Sequence, residues 1–240
     1  RNDHMNTIAD FYADVWSDFY ADFYASFIKE DRYMLLLDGI GITIKVSLLA
    51  VILGIIIGMI IALFNLSNSK FLRAIGKVYT DVIRGTPSVT QLMIIYFVVF
   101  ASLHVDKWII AAIAFGINSG AYVSEIIRAG IMSIDKGQTE AGRSLGLNAA
   151  QTMSRIVVPQ AVKNIFPALC NEFIVLIKET AIVGYVGLMD IQKAGDFIKS
   201  ATYKPIMPLI ATAIIYFVII KVLTLLLGLI EKQLRKSEVR

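Results

Sequence analysis

A single cysteine, Cys170, excludes an intrachain disulfide, and its place inside an apolar run marks it as a packed thiol. Only two histidines occur. His104 stands beside Asp106 with no further ligand nearby, so that turn is not a metal site. There is no G-x-x-x-x-G-K-S/T run. Gly76-Lys77, the nearest fragment, lacks the preceding glycine and the following hydroxyl, so nothing in the sequence is built to cradle nucleotide phosphates. No Ser/His/Asp set points to nucleophilic catalysis. No apolar core precedes Met34, so no cleaved signal peptide is expected. The expectation is a chain that is not an enzyme and carries no cofactor of its own.

What is abundant is apolar surface. The 240 residues are 57% hydrophobic with a mean hydropathy of +0.68, too apolar for a soluble domain. That surface must be buried in lipid, and one polytopic all-α membrane domain accounts for it.

Residues 1–5, RNDHM, read as a cloning scar with Met5 as the native start. Residues 6–37 are expected to form an amphipathic external helix. Asp10, Asp14, Asp18 and Asp22 recur every four residues, while Phe11, Trp16, Phe19, Tyr20, Phe23, Tyr24 and Phe27 fill another face. Its acidic side argues for the outer surface and against an anionic inner leaflet; a contact for an external binding protein is the alternative.

Residues 38–240 are expected to hold five spans. Val46–Phe64 is uncharged over nineteen residues, near the ~20 that cross hydrocarbon. Gly54 and Gly58 offer a face for close helix packing. In Val78–Leu103, Asp81 and Arg84 are one turn apart. Gly85-Thr86-Pro87 then breaks the helix, and Gln91 is expected to face a polar cavity there. Trp108–Arg128 is the third span, with Glu125 and Arg128 paired at i,i+3. Lys163–Leu188, the fourth, carries Asn171, Glu172, Lys178, Glu179 and Thr180. Such groups are costly in a membrane unless a bundle interior or cavity receives them. Leu188–Lys204 reads as an external loop and Pro205–Ile230 as the fifth span.

Between spans three and four lies a polar interruption, residues 135–160. Thr139–Leu145 reads as a short helix stopped by Gly146 in the left-handed region, and Asn148 caps a second helix that Pro159 ends. With the N-terminus outside and the C-terminus inside, the inner segments (70–77, 128–163, 232–240) hold twelve Lys/Arg against seven outside (1–32, 107, 190–204). The positive-inside rule therefore puts residues 135–160 in the cytoplasm.

Glu140-Ala141-Gly142, then three residues, Gly146, nine residues, Ile156 and Val158-Pro159 resemble the EAA loop of ABC importer permeases, E-A-A-x3-G-x9-I-x-L-P. The departures are Gly142 for Ala and Val158 for Leu. Arg84-Gly85-Thr86-Pro87 with Gln91, Ala121-Tyr122 with Glu125 to Arg128, and Asn171-Glu172-Phe173 with Lys178-Glu179-Thr180 resemble the polar amino acid uptake branch. The resemblance implies a type I importer permease with five transmembrane helices and a cytoplasmic helix-turn-helix coupling loop. It implies ATP-binding subunits docked on Glu140, Ala141, Gly142, Gly146 and Pro159, with ATP and Mg bound by that partner. It also implies a second permease chain, identical or sister, an external solute-binding protein, and a prokaryotic cytoplasmic (inner) cell membrane. Nucleic acid has no place in it. Substrate contacts are expected at Gln91, Asn171, Glu172, Lys178 and Thr180, since a zwitterion needs one anionic and one cationic partner. The alternative is an ion-coupled secondary transporter using the buried carboxylates, for which no repeated halves are visible.

Overall fold

The computed structural model describes residues 14–235. The expected scar at 1–5, the first turns of the N-terminal helix and the end of the basic tail lie outside the described residues. Among the described residues the chain is helical throughout, with no strand.

Helix α1 covers residues 14–23 and runs into a wide π turn, Tyr24–Ile28. Glu30 (φ 59°) and Asp31 (φ 50°) then reverse the chain, and Arg32 Nη1 donates to the Ala25 carbonyl at 2.6 Å to hold the corner. Helix α2, Tyr33–Leu66, follows without interruption. The domain boundary expected at 37/38 therefore falls inside a continuous helix, because the true break is the pair of left-handed residues seven positions earlier.

Helix α5, Lys107–Met132, is the most buried of the long helices and packs along α2. The two run parallel: a Cβ on Gly54 would lie 3.0 Å from Ser119 Cβ, and one on Gly58 only 2.5 Å from Val123 Cγ1. Both glycines thus serve close backbone approach, which drives helix association where lipid tails offer no hydrophobic contrast. Parallel packing also fixes sidedness. The ends of α2 and α5 lie on one face, and the chain between them crosses back once.

That return is α3, Lys70–Arg84, and α4, Ser88–Ile94, which continues as a π turn to Val99. The two are bent by 104° at Gly85-Thr86-Pro87, the break that the sequence predicts. Helix α6, Lys136–Ser144, and α7, Ala149–Thr152, follow α5 on the same face. Helix α8, Val158–Glu179, runs antiparallel to α5, with Asn164 Nδ2 donating to Ser133 Oγ at 2.9 Å near one end. A 3₁₀ turn, Thr180–Val186, precedes α9, Ile191–Thr202, and the chain ends with α10, Ile206–Arg235.

The expected external loop at 188–204 is mostly this helix α9. Asp190 caps it by accepting from the N–H groups of Lys193 (3.0 Å) and Gln192 (3.2 Å), and it also accepts from Tyr216 Oη at 3.1 Å. Burial pushes the Asp190 carboxyl above the usual carboxylate range, and these hydrogen bonds oppose the rise. Phe27 and Leu36 pack against Ala194 and Ile198, and Lys204 pairs with Asp22, so α1 and α9 share the face opposite α6 and α7.

By length and apolarity, α2, α5 and α10 can each cross a membrane, and the bent α3–α4 pair forms a broken span. Helix α8 is long enough at 22 residues, ~33 Å, but it carries more polar and charged residues than α2, α5 and α10 do over a comparable length. The main core joins α2, α4, α5, α8 and the 3₁₀ turn through Val46, Ala50, Leu92, Phe115, Leu176 and Val183.

Candidate functional site

The polar residues expected along the pathway separate into three groups. Glu172, half-buried on α8, accepts from Ser119 Oγ at 2.9 Å, and Ser119 is fully buried on α5. Glu179 lies seven positions on, so at ~100° per residue the two carboxylates share a face. Asn171 and Lys178 sit together on an exposed flank about 100° round the helix.

Gln91 does not face a cavity. It is 9% exposed, and its Nε2 lies 2.7 Å from the Ile83 carbonyl, 3.2 Å from the Thr86 carbonyl and 2.6 Å from Thr86 Oγ1. Its Oε1 accepts from Asn118 Nδ2 at 2.9 Å. The break at Gly85-Thr86-Pro87 frees backbone carbonyls that must find donors, and the Gln91 amide supplies them. Thr180 is likewise not open to a pathway: it is fully buried and donates to the Ile177 carbonyl at 2.7 Å. Sequence reasoning missed Asn118 and Ser119. A polar Asn-Ser pair in the middle of an apolar span was the available signal.

The second candidate region is the α6–α7 projection. Asp135 caps α6 by accepting from Gly137 N–H at 2.6 Å. Gly146, at φ +85°, ends it: the N–H of Leu147 reaches the Gly142 carbonyl (3.2 Å) and that of Gly146 the Arg143 carbonyl (3.0 Å). This paired closure needs a left-handed residue, hence the glycine. Asn148 and Gln151 then form a reciprocal capping box at 2.9 and 3.0 Å.

Pro159 does not end the second helix. A π turn, Met153–Val157, widens the coil so that Val158 N–H bonds to Met153 O, and Pro159 enters the first turn of α8, where its missing donor is tolerated. Helix α7, the π turn and α8, which bears Glu172, therefore follow one another without a non-helical break. Gly142 packs so tightly that a Cβ there would sit 2.7 Å from Ile156 Cδ1. Glu140, Ala141 and Leu145 project outward, Leu145 at 82% exposure.

Among the described residues no group of three or more metal-ligating side chains is present. The Glu125 and Arg128 pair is formed as expected, Nη2 to Oε2 at 2.8 Å, and Arg84 lies over the Tyr122 ring at 5.3 Å.

Against known proteins, the profile of the family described as binding-protein-dependent transport system inner membrane component matches residues 54–236. The arginine transport system permease protein ArtQ of Bacillus subtilis (strain 168) is 42% identical over 205 residues, covering 85% of this chain and 94% of that one. The L-cystine transport system permease protein TcyB of the same organism is 37% identical, covering 86% and 89%. A crystal structure of an amino acid ABC transporter with histidines superposes with a TM-score of 0.79 at 42% identity, covering 86% of this chain and 98% of the other. An inward-facing form of the MetNI methionine ABC transporter, 17% identical over 84% and 96% of the chains, shares the fold with a TM-score of 0.72.

Proposed function

The chain belongs to the binding-protein-dependent transport system inner membrane components as a multi-pass permease of the amino acid ABC transporters, and from that premise we propose that it imports a polar L-amino acid by coupling to a separate ATPase subunit. The observation that carries this reading is the exposed α6–α7 corner joined in unbroken helix, through the π turn at 153–157, to helix α8. ATP and Mg belong to the partner docked on Glu140, Ala141 and Gly146; Gly142, expected among these contacts, is buried against Ile156 and shapes the corner from inside, with Pro159 at the root of the lever. Closure of the ATPase pair moves the corner, and α8 carries the movement to Glu172. Two permease bundles rocking against each other form the bistable element. An external solute-binding protein delivers the substrate on the α1/α9 face.

In this reading the chain sits in the cytoplasmic membrane of a prokaryote with the α6–α7 face inside, the N-terminus outside and five crossings, the fifth supplied by α8. Glu172, held by Ser119, meets the α-ammonium group; the exposed flank of Asn171 and Lys178 meets the carboxylate. Gln91 and Thr180 support the pathway from behind rather than lining it.

The test is ATP-dependent uptake by the reconstituted complex of permease, ATPase and binding protein, screened over the twenty amino acids. L-glutamine, L-arginine and L-cystine come first, since relatives are named for those solutes. Uptake driven by an ion gradient without ATP would select the secondary-transporter reading.

A further inference from the structure

At the α6–α7 end of the molecule, away from Glu172, a cavity of about 340 Å³ opens between the end of α2, one face of α3 and the last turns of α5. Its volume falls within the roughly 300–1,000 Å³ of small-molecule sites. Its wall carries four cations, Arg73, Lys77, Arg84 and Arg128, against two carboxylates, Asp81 and Glu125, a net charge of +2.

The cavity is built rather than incidental. Arg128 is fixed by three hydrogen bonds to Glu125, from Nη2 at 2.8 Å and from Nε at 3.2 and 3.3 Å. Arg84 is steadied over the Tyr122 ring. Tyr79 Oη donates to the Ile117 carbonyl at 2.6 Å and locks α3 onto α5. Gly76 leaves room for the Asn65 side chain, which a Cβ there would displace and which also lines the cavity.

On α3 the positions 73, 77, 80, 81 and 84 recur at helical spacing and line one face. The exposed apolar residues Phe71, Ile75, Val78 and Val82 lie roughly 150° away around the same helix. The charged wall therefore turns away from the surface suited to lipid tails, and the ligand that it fits is a soluble one. Both signs are present, with Asp81 four residues after Lys77 and three before Arg84. A zwitterion uses both signs of this wall, its carboxylate facing the cations and its ammonium group facing Asp81.

We propose that this cavity is a second amino-acid site, at the inner mouth of the permease, that holds the carboxylate against Arg73, Lys77 and Arg84 and the ammonium group against Asp81. The inference rests on the amino acid import reading above and adds a station between the level of Glu172 and the cytoplasm. A cationic lining raises the local concentration of carboxylates at this mouth.

The experiment is equilibrium binding of radiolabelled L-glutamine, L-arginine and L-cystine, each in turn, to the purified permease–ATPase complex without ATP. For the amino acid that is transported, two molecules per permease chain are expected. The variant R73Q/K77Q should bind one, with affinity at the lost site down at least about tenfold, and E172Q should bind the other. The molecule retained by R73Q/K77Q also reports that this variant is folded. Uptake with one bound molecule that R73Q/K77Q leaves in place overturns the second site. Displacement of the Lys77-dependent molecule by inorganic phosphate, or its loss in phosphatidylglycerol but not phosphatidylcholine discs, assigns the cavity to a bare anion or a headgroup and overturns it too. If no amino acid is bound or taken up by the wild-type complex, the import reading itself falls.

Discussion

Ser119 Oγ donates to Glu172 Oε1 across 2.9 Å, and the preceding residue, Asn118, donates to Gln91 Oε1 at the same distance. Two adjacent residues of α5 thus reach in two directions. One holds the carboxylate of α8 and the other holds the amide that seals the break between α3 and α4. Helix α5 is thus tied both to α8 and to the break between α3 and α4.

The first prediction separates a substrate contact from a structural network at Glu172. Glu172→Gln keeps the shape and the acceptor for Ser119 while removing the charge, so folded yield should equal wild type and uptake should fall about tenfold or more. A charge-assisted hydrogen bond contributes about 1.5–3 kcal/mol, and ~1.4 kcal/mol is a factor of ten. Ser119→Ala should lower uptake less, because Glu172 keeps its position on α8. Poor yield with full specific activity in the folded fraction would make Glu172 structural.

Gln91 makes the opposite prediction. Gln91→Leu fills a similar volume but strips the Ile83 and Thr86 carbonyls and Asn118 of their partner inside the bundle. An unsatisfied buried group costs about 1–3 kcal/mol. The variant should unfold at a lower temperature in a thermal-stability assay in detergent, while substrate affinity of the surviving protein stays within about twofold. A variant that is stable but blind to substrate would return Gln91 to the pathway.

The coupling corner can be broken without touching the membrane domain. Gly146 sits at φ +85° with no atom near its Cβ position, so Gly146→Ala costs only backbone strain, about 1–2 kcal/mol. Gly146→Pro cannot adopt that angle and also removes the N–H bonded to Arg143. Both variants should reach the membrane. The alanine form should retain ATPase on co-purification, whereas the proline form and Glu140→Lys should lose the ATPase or hydrolyse ATP without transport. Normal uptake by the proline form would remove the corner from the coupling path.

Sidedness is checked by labelling. In a Cys170→Ser background, a cysteine at the exposed Lys136 of α6 should react with an impermeant reagent only from the cytoplasm, and one at the exposed Ser200 of α9 only from outside. The parallel packing of α2 and α5 and the excess of Lys/Arg on the α6–α7 face motivate it. Reaction of both from the same side would contradict the order of crossings, and reversed labelling the orientation.

What the sequence determined by itself is whatever local chemistry specifies. The left-handed stop at Gly146, the Asn148 cap, the break at Gly85-Thr86-Pro87 and the glycine face of α2 each follow from groups within a few residues of one another. The coupling-loop pattern and the apolar runs were legible for the same reason. What only the tertiary structure decided is where each buried polar group found its partner. Gln91 could equally have faced a cavity or a carbonyl, and the choice fell to the 104° bend and to Asn118, 27 positions away. Thr180 turned inward to its own backbone, while Glu172 was claimed by Ser119 on another helix. Pro159 reads as a stop only if the helix before it is regular, and the π turn at 153–157 removed that condition. A desolvated donor or acceptor must be satisfied, but sequence spacing does not say by which neighbour, because the packing of separate helices sets the distances.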